Sequence, residues 1–399
     1  MSYYHFNEVL LNLQGVKITN VKHVHGITEI YLDHNHNVGI CPHCGAETSL
    51  VHDYRTQKIK DSPAFNEQVI LILRKRRLHC PHCNHHFYQK LDFLPRYYRM
   101  TTRLIAGVIN TLRECCSFSS VARTFNLSIT TVIRIFDLVS YPRYYSLPKS
   151  IAIDEFRGNA DGEKFQCIIT DPETHRVLDI LPKRQEEYIR SYFRRWTKEE
   201  RNQVSLFVSD MWRPYQNTAN DLFHNATRVI DKYHWTRQVI YAFENVRKNV
   251  QKGFYAQHRK HMKRSRQLLL KPFDSLSDEQ KREAIQLLEK SDDLKRCHFY
   301  KEKLQKIIRL ENIEEEKREF LRWIKYTSYS EMKSFDYCIS TYKHWLPEIL
   351  NSMDTPITNG FTEGCNNKIK VLKRNAYGYR NFRRFRNRIL HIFSNQQAA

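Results

Sequence analysis

Apolar and polar positions change rhythm several times along this 399-residue chain. Residues 1–95 hold short alternating segments. The clearest is the run Val69 to Leu73, followed by the basic stretch Arg74 to Arg77, and together they predict short strands. Residues 96–145 read as helical. Between 146 and 250 the strand pattern returns in SIAIDEF, KFQCIITDPETHRVLDIL, QVSLFVSDMW and ATRVIDKYH. Residues 251–350 combine helical period with heavy charge. Ser277 and Gln280 stand as a capping box ahead of Ile285, Leu287 and Leu288, and Leu304, Ile307 and Ile308 recur at three-to-four spacing, as do Phe320, Leu321 and Ile324. Residues 351–399 open on the turn Thr358-Asn359-Gly360 and continue as a basic helical tail. The pattern predicts a mixed α/β protein of several domains, divided near those positions.

Charge changes the picture more than composition does. Lys and Arg number 65 against 43 Asp and Glu, a net +22. A field of that size favours polyanions, of which nucleic acid is the commonest, although a ribosome-associated or merely soluble basic protein has the same balance. No apolar run reaches the length of a membrane span, and the first residues lack a basic-then-apolar signal pattern, so no membrane partner and a cytoplasmic, nucleoid-associated location are expected.

Four of the ten cysteines fall into two identical knuckles, Cys41-Pro42-His43-Cys44 and Cys80-Pro81-His82-Cys83. A CxxC turn points both sulfurs to one side, so two of them can close a tetrahedron around Zn2+. The 35 residues between them are many for a zinc ribbon, but a small sheet can fill the gap. His43, His82, His85 and His86 could replace a ligand. A closed four-ligand site is structural, so zinc should order the domain. Cys115, Cys116, Cys167, Cys297, Cys338 and Cys365 read as free thiols packed as small hydrophobes.

The stretch from Ser117 to Asp137 has a helix-turn-helix pattern. Val121, Ala122 and Phe125 mark one helix, Asn126 and Leu127 the turn, and Ser128 caps a second helix carrying Val132, Ile133 and Phe136. Thr130, Thr131 and Arg134 are the candidates to face a DNA groove, and an ordinary helical hairpin is the bland alternative.

Two apolar strands end in acids. Ile151 to Ile153 leads into Asp154, and Leu206 to Val208 leads through Ser209 into Asp210. An acid at the end of a buried strand is costly unless it is solvated or bound to metal. Two such ends in adjacent strands would repel each other and call for a divalent cation. A third carboxylate from a helix across the sheet would complete a two-metal site for phosphodiester chemistry, and Glu363, opening the helix that runs to Arg374, is the choice. Glu155 rivals Asp154, but strand alternation sends it to the other face. Glu331 and Glu348 rival Glu363 less well from within the helical segment. Spacings of four and seven put Asn367 and Lys370 on the Glu363 face, where Lys370 could hold a DNA strand. From Gly364 to Arg388 there are nine Lys or Arg, among them Lys373 and Arg374, and no acid, interleaved with Tyr377, Tyr379, Phe382 and Phe385. Phosphate neutralisation with aromatic stacking or packing fits that mixture.

These residues together resemble the ISL-three family of bacterial insertion-sequence transposases. The resemblance runs from the knuckles to about Leu390. It rests on the two knuckles with Arg76-Arg77 before the second, the helix-turn-helix, Ile153 to Phe156, Ser209 to Tyr215, Val229 to His234, and Thr358 to Lys370. It implies a DDE catalytic domain of RNase H-like (retroviral integrase-type) fold, split by an α-helical insertion and preceded by the zinc-binding and helix-turn-helix domains. The expected division is 1–95, 96–145, 146–250, 251–350 and 351–399. It further implies binding to the element's terminal inverted repeats, metal-dependent strand cleavage and transfer into target DNA, and Asp154, Asp210 and Glu363 as ligands of Mg2+ or Mn2+. A homodimer or higher homo-oligomer on double-stranded DNA is expected. Asp231 and His234 match the family's D-x-x-H stretch and are expected beside the active site without an assigned role. The rival class is a non-catalytic DNA-binding regulator or domesticated transposase; a structure-selective nuclease on the same fold is a further rival.

Overall fold

The computed structural model describes residues 11–394, apart from Phe65, Glu331 and the side chains of residues 256–258. The first ten residues and the rival Glu331 therefore lie outside the described part. Two compact units are present, one made of the described residues up to Tyr141 together with those from Lys370 onward, the other of Pro142–Ile369.

The first unit begins with strands β1 (Val16–Val24), β2 (Ile27–His34), β3 (Gly39–Ile40), β4 (Glu47–Thr48), β5 (Val51–Lys60), β6 (Gln68–His79) and β7 (His86–Tyr88). Its main sheet has the order β1-β2-β6-β5, with β7 added to the end of β6, while β3 and β4 form a small hairpin. Val69, Leu71 and Leu73 bury alternate positions of β6 against Ile18, Leu32 and Ile59, the period-2 signal of a half-buried strand. The long antiparallel β5–β6 pair fills the interval between the two knuckles. Helices α1 (Thr102–Thr111), α2 (Phe118–Thr124) and α3 (Ile129–Phe136) follow. Ser117 and Ser128 cap α2 and α3, each side chain accepting from the backbone N–H three residues on. Between them Asn126 takes the left-handed backbone at φ 48°, a conformation Asn tolerates. The last helix of the chain, here α16 (Phe382–Phe393), belongs to this unit. Its buried Arg388 donates to the carbonyls of Glu114 and Cys116, and its Asn387 donates to that of Val139. The basic tail thus packs with the helix-turn-helix, whereas the sequence pattern grouped it with the second sheet.

The second unit contains β8 (Ser150–Phe156), β9 (Gln166–Asp171), β10 (Arg176–Leu181), α4 (Glu186–Phe193), α5 (Lys198–Asn202), β11 (Leu206–Ser209), α6 (Arg213–Leu222) and β12 (Thr227–Ile230). These strands form one sheet in the order β10-β9-β8-β11-β12. The β8–β9 and β9–β10 pairs are antiparallel, and β8–β11 and β11–β12 are parallel. Ile151, Ile153, Cys167 and Ile169 face a core with Ile189, Phe193, Phe207 and Tyr215. The long α7 (Lys232–Lys252) leads into α8 (Ala256–Arg264), α9 (Arg266–Leu270), α10 (Asp278–Leu288), α11 (Asp292–Ile307), α12 (Ile313–Ser328), α13 (Lys333–His344) and α14 (Leu346–Asp354). Their own core is centred on Trp235, Phe320, Trp323 and Tyr342. The capping box at Ser277 and Gln280 is present at the start of α10. Helix α15 (Gly360–Asn375) then returns to the sheet, where Thr362 and Thr170 of β9 share a buried 2.8 Å hydrogen bond. Among the described residues no helix is long and apolar enough to cross a membrane.

Candidate active site and zinc knuckles

The parallel part of the second sheet sets the site. Strands β8, β11 and β12 run in the same direction, so their carboxyl ends lie side by side, the edge where open α/β sheets place their ligands. Asp154 lies near the end of β8, Asp210 directly follows β11, and Asp231 directly follows β12. β8 itself continues to Phe156 because β9 keeps pairing with it after β11 has stopped, so Asp154 faces Ile168 and lies two residues beyond the last parallel pair, Ala152 with Val208. Asp231 caps α7, accepting from the Tyr233 amide, and places His234 in the first turn of that helix. Helix α15 brings Glu363 from the other side.

Asp210, Asp231 and Glu363 converge on one imidazole. His234 Nε2 lies 2.9 Å from Asp210 Oδ1, 3.6 Å from Glu363 Oε1 and 4.0 Å from Asp231 Oδ2. Although burial pulls the His234 imidazole down, its close approach to Asp210 and the charges of Asp210, Asp231 and Asp154 carry its pKa above the ordinary value. Asp154 is only 7% exposed. Burial, reinforced by the Asp210 charge, pushes its carboxyl up to about 7. Burial also raises Asp231, with Glu363 and Asp210 adding to it and His234 opposing. One donor atom each from Asp231, His234 and Glu363 lie within 4.8 Å of one another, close enough to share a metal ion. Carboxylates crowded together at a strand edge form a donor set suited to a divalent cation.

Asn366 was not singled out by the sequence. Its Nδ2 donates to Asp154 Oδ2 at 2.7 Å, while the Glu155 amide donates to Asp154 Oδ1 at 2.7 Å. Asn367 is exposed, as is Lys370 two turns on from Glu363. The face of α15 turned to the sheet carries Thr362, Cys365, Asn366 and Ile369. The adjacent Asn366-Asn367 pair was the available signal, and a spacing of three from Glu363 reaches Asp154 where a spacing of four turns outward. The two described rivals are engaged elsewhere. Glu155 pairs with Arg184 at 2.7 Å and lies 3.4 Å from the Tyr215 hydroxyl, and buried Glu348 accepts from Gln216 and pairs with Arg228.

The first unit holds the knuckles. Cys41, Cys44, Cys80 and Cys83 form one cluster, with Sγ–Sγ distances of 3.6 Å for both the Cys41–Cys83 and Cys44–Cys80 pairs. The edge of a tetrahedron with zinc–sulfur bonds of about 2.3 Å is about 3.8 Å. Backbone amides of Cys44 and His43 draw the Cys41 thiol down to about 7 against the effect of burial, while burial and the neighbouring sulfurs push Cys83 up to about 12. Four thiolates therefore need a cation to coexist, and no histidine enters the set. On the helix-turn-helix, Thr130 and Arg134 are exposed, and the partly exposed Thr131 shares a 2.8 Å hydrogen bond with the Ser128 cap. Arg374 of the tail is exposed and Lys373 is partly so.

Comparison with known proteins covers the same segments. A family model described as "Transposase" (DDE_Tnp_ISL3) matches residues 151–389. The model "zinc-finger of transposase IS204/IS1001/IS1096/IS1165" matches 37–83, and "Helix-turn-helix domain of transposase family ISL3" matches 89–140. The chain is 28% identical over 362 residues to "Transposase for insertion sequence element IS1001" of Bordetella parapertussis, covering 88% of each. A shorter likeness, 37% over 84 residues, joins 18% of this chain to 27% of a Lactococcus lactis subsp. lactis protein called "ATP-dependent protease".

Proposed function

The chain belongs to the ISL3 family of insertion-sequence transposases, and on that premise we propose that its second unit is an RNase H-like DDE core that cuts and joins DNA at the element's terminal inverted repeats. The strand order β10-β9-β8-β11-β12, with three antiparallel strands followed by two parallel ones, supports that fold. The observation that carries the reading is the convergence of carboxylates from two strand ends and one helix: Asp210 and Glu363 both meet His234 Nε2, and the Asp210 charge acts on Asp154. Asp154, Asp210 and Glu363 offer the hard oxygen donors that Mg2+ or Mn2+ prefers. When bound, a pair of such cations lowers the pKa of the attacking oxygen and stabilises the leaving one.

The chain's own residues prepare that chemistry. The Asn366 amide and the Glu155 N–H fix both oxygens of Asp154, so its carboxylate is oriented before DNA arrives. His234 Nε2 stands against Asp210 and Glu363, where its raised pKa favours the imidazolium, a local counter-charge that a cation entering the same edge would replace. Asp231 fixes the start of α7 and with it the imidazole. The zinc-ordered first unit and Thr130, Thr131 and Arg134 read the repeat, and the basic tail neutralises phosphates. Water attacks the phosphodiester at the element's end, leaving a 3′-hydroxyl there and a 5′-phosphate on the flanking strand; that hydroxyl then attacks a target phosphodiester in line and displaces the target's own 3′-hydroxyl, which gives a joined strand. Assembly as a homodimer or higher oligomer on DNA completes the reading.

In the direct test, purified protein with Mg2+ nicks a duplex carrying the terminal repeat, and Asp210→Asn binds that duplex without cutting it. Equal cutting by the variant removes Asp210 from the site. Binding without cutting by the wild type favours the regulator or domesticated reading.

A further inference from the structure

The aromatic residues of the tail divide into two kinds. Tyr379 is buried, its ring stacked on Phe385 at 4.7 Å and set edge-on to Phe118. Tyr377, two residues earlier, is completely exposed. It occupies the position just past the end of α15, with φ +54°, where the N–H of Tyr377 bonds to Arg374 and that of Gly378 to Lys373. Helix ends of this form favour Gly or Asn, because a side chain in the left-handed region is strained. A large aromatic ring in that conformation, turned wholly to water, does nothing for the packing of the chain.

The turn is held on both sides. Asn375 donates to the Cys115 carbonyl, Arg384 pairs twice with Asp137 at 2.8 Å, and the Arg388 guanidinium lies against the rings of both Phe118 and Phe136. A cleft of about 360 Å³ opens between it and the helix-turn-helix, lined by Gly378 and Arg380 on one side and by Ser119, Ile129 and Ile133 on the other. Ile129 and Ile133 belong to α3, so DNA lying on that helix borders the same cleft as the turn. Arg374, Arg380 and Arg383 of the same segment are exposed. An aromatic ring exposed on a held turn, in a segment that also carries exposed Arg374, Arg380 and Arg383, matches the chemistry of a nucleobase face beside its phosphates.

We propose that Tyr377 is a DNA-contacting wedge, stacking on a base of the repeat next to the helix-turn-helix. The proposal rests on the reading of that unit as the end-recognition module.

The test is fluorescence anisotropy of the full chain on a labelled duplex with the inverted repeat that flanks its own reading frame, over a range of salt. A parallel scan places 2-aminopurine along that duplex. Tyr377→Asn suits the left-handed backbone and weakens binding on the order of 10-fold, leaving the dependence of log K on log salt unchanged because no charge is lost. Tyr377→Phe stays close to wild type. Arg380→Ala lowers the salt slope by about one. At one position 2-aminopurine fluorescence changes with wild type and the Phe variant but not with Tyr377→Asn. If Tyr377→Asn binds like wild type with the same fluorescence profile while Arg134→Ala is impaired, the wedge is wrong and the recognition module stands. If wild type prefers the repeat no more than an unrelated duplex, the recognition reading falls and the wedge with it.

Discussion

Asn366 on α15 donates a 2.7 Å hydrogen bond to Asp154 on β8, joining helix and sheet at a point where both side chains are nearly closed to solvent. The other amide atom, Asn366 Oδ1, is buried without a hydrogen-bond partner. A donor to an ionised carboxylate contributes about 1.5–3 kcal/mol, whereas a buried orphan acceptor opposes folding. Asn366→Leu removes both. We expect a net loss on the order of 1–2 kcal/mol at pH 8, where Asp154 is mostly charged, and a smaller one at pH 5.5, measured by urea unfolding of metal-free protein. Equal losses at the two pH values would separate Asn366 from the Asp154 charge.

The raised Asp154 pKa makes metal-free stability depend on pH. Its carboxyl titrates at 3.8 ordinarily and at about 7 in the fold. Between those values the folded chain binds the proton and the unfolded chain does not, so stability falls as pH rises through that window. The full shift corresponds to on the order of 4 kcal/mol. Asp154→Asn should flatten the decline and leave the metal-free protein more stable than wild type at pH 8, while Mg2+ should stabilise wild type more than the variant. A wild-type unfolding profile that is flat or rising from pH 4.5 to pH 7.5 after correction for the other carboxylates would be the wrong sign.

The knuckles make a separate prediction for zinc. With the four sulfurs already clustered and two pairs 3.6 Å apart, Cys80→Ser should reduce bound zinc from about one ion per chain to a small fraction, whereas His43→Ala should leave it unchanged. Elemental analysis of the purified proteins decides this. Zinc loss in the His43 variant would show that the histidine beside the cysteines is a ligand after all.

Much of this was legible because it is periodic or punctuated. The alternation in Val69 to Leu73, the Ser117 and Ser128 caps, Asn126 at the turn and the capping box at Ser277 each act within a few residues, and the structure has them where the pattern put them. The paired knuckles gave the four cysteines for the same reason. What eluded the sequence depends on contacts far along the chain. Asn366 meets Asp154 across 212 positions, and Arg388 reaches Cys116 across 272. Helical spacing names a face only to within one residue, so Asn367 was preferred to its neighbour. Likewise the basic tail offers its aromatic residues for stacking or packing without saying which does which, and the fold buries Phe385 and Tyr379 with Arg388 inside the first unit and leaves Tyr377 outside.

The central claim is that Asp154, Asp210 and Glu363 jointly bind divalent cations, and Mn2+ titration followed by the loss of the free-ion paramagnetic resonance signal measures it most directly. Protein on the repeat duplex should take up about two ions per chain above the duplex background. Asp154→Asn, Asp210→Asn and Glu363→Gln should each lose at least one while retaining the duplex. Three variants that bind Mn2+ as the wild type does would contradict the account.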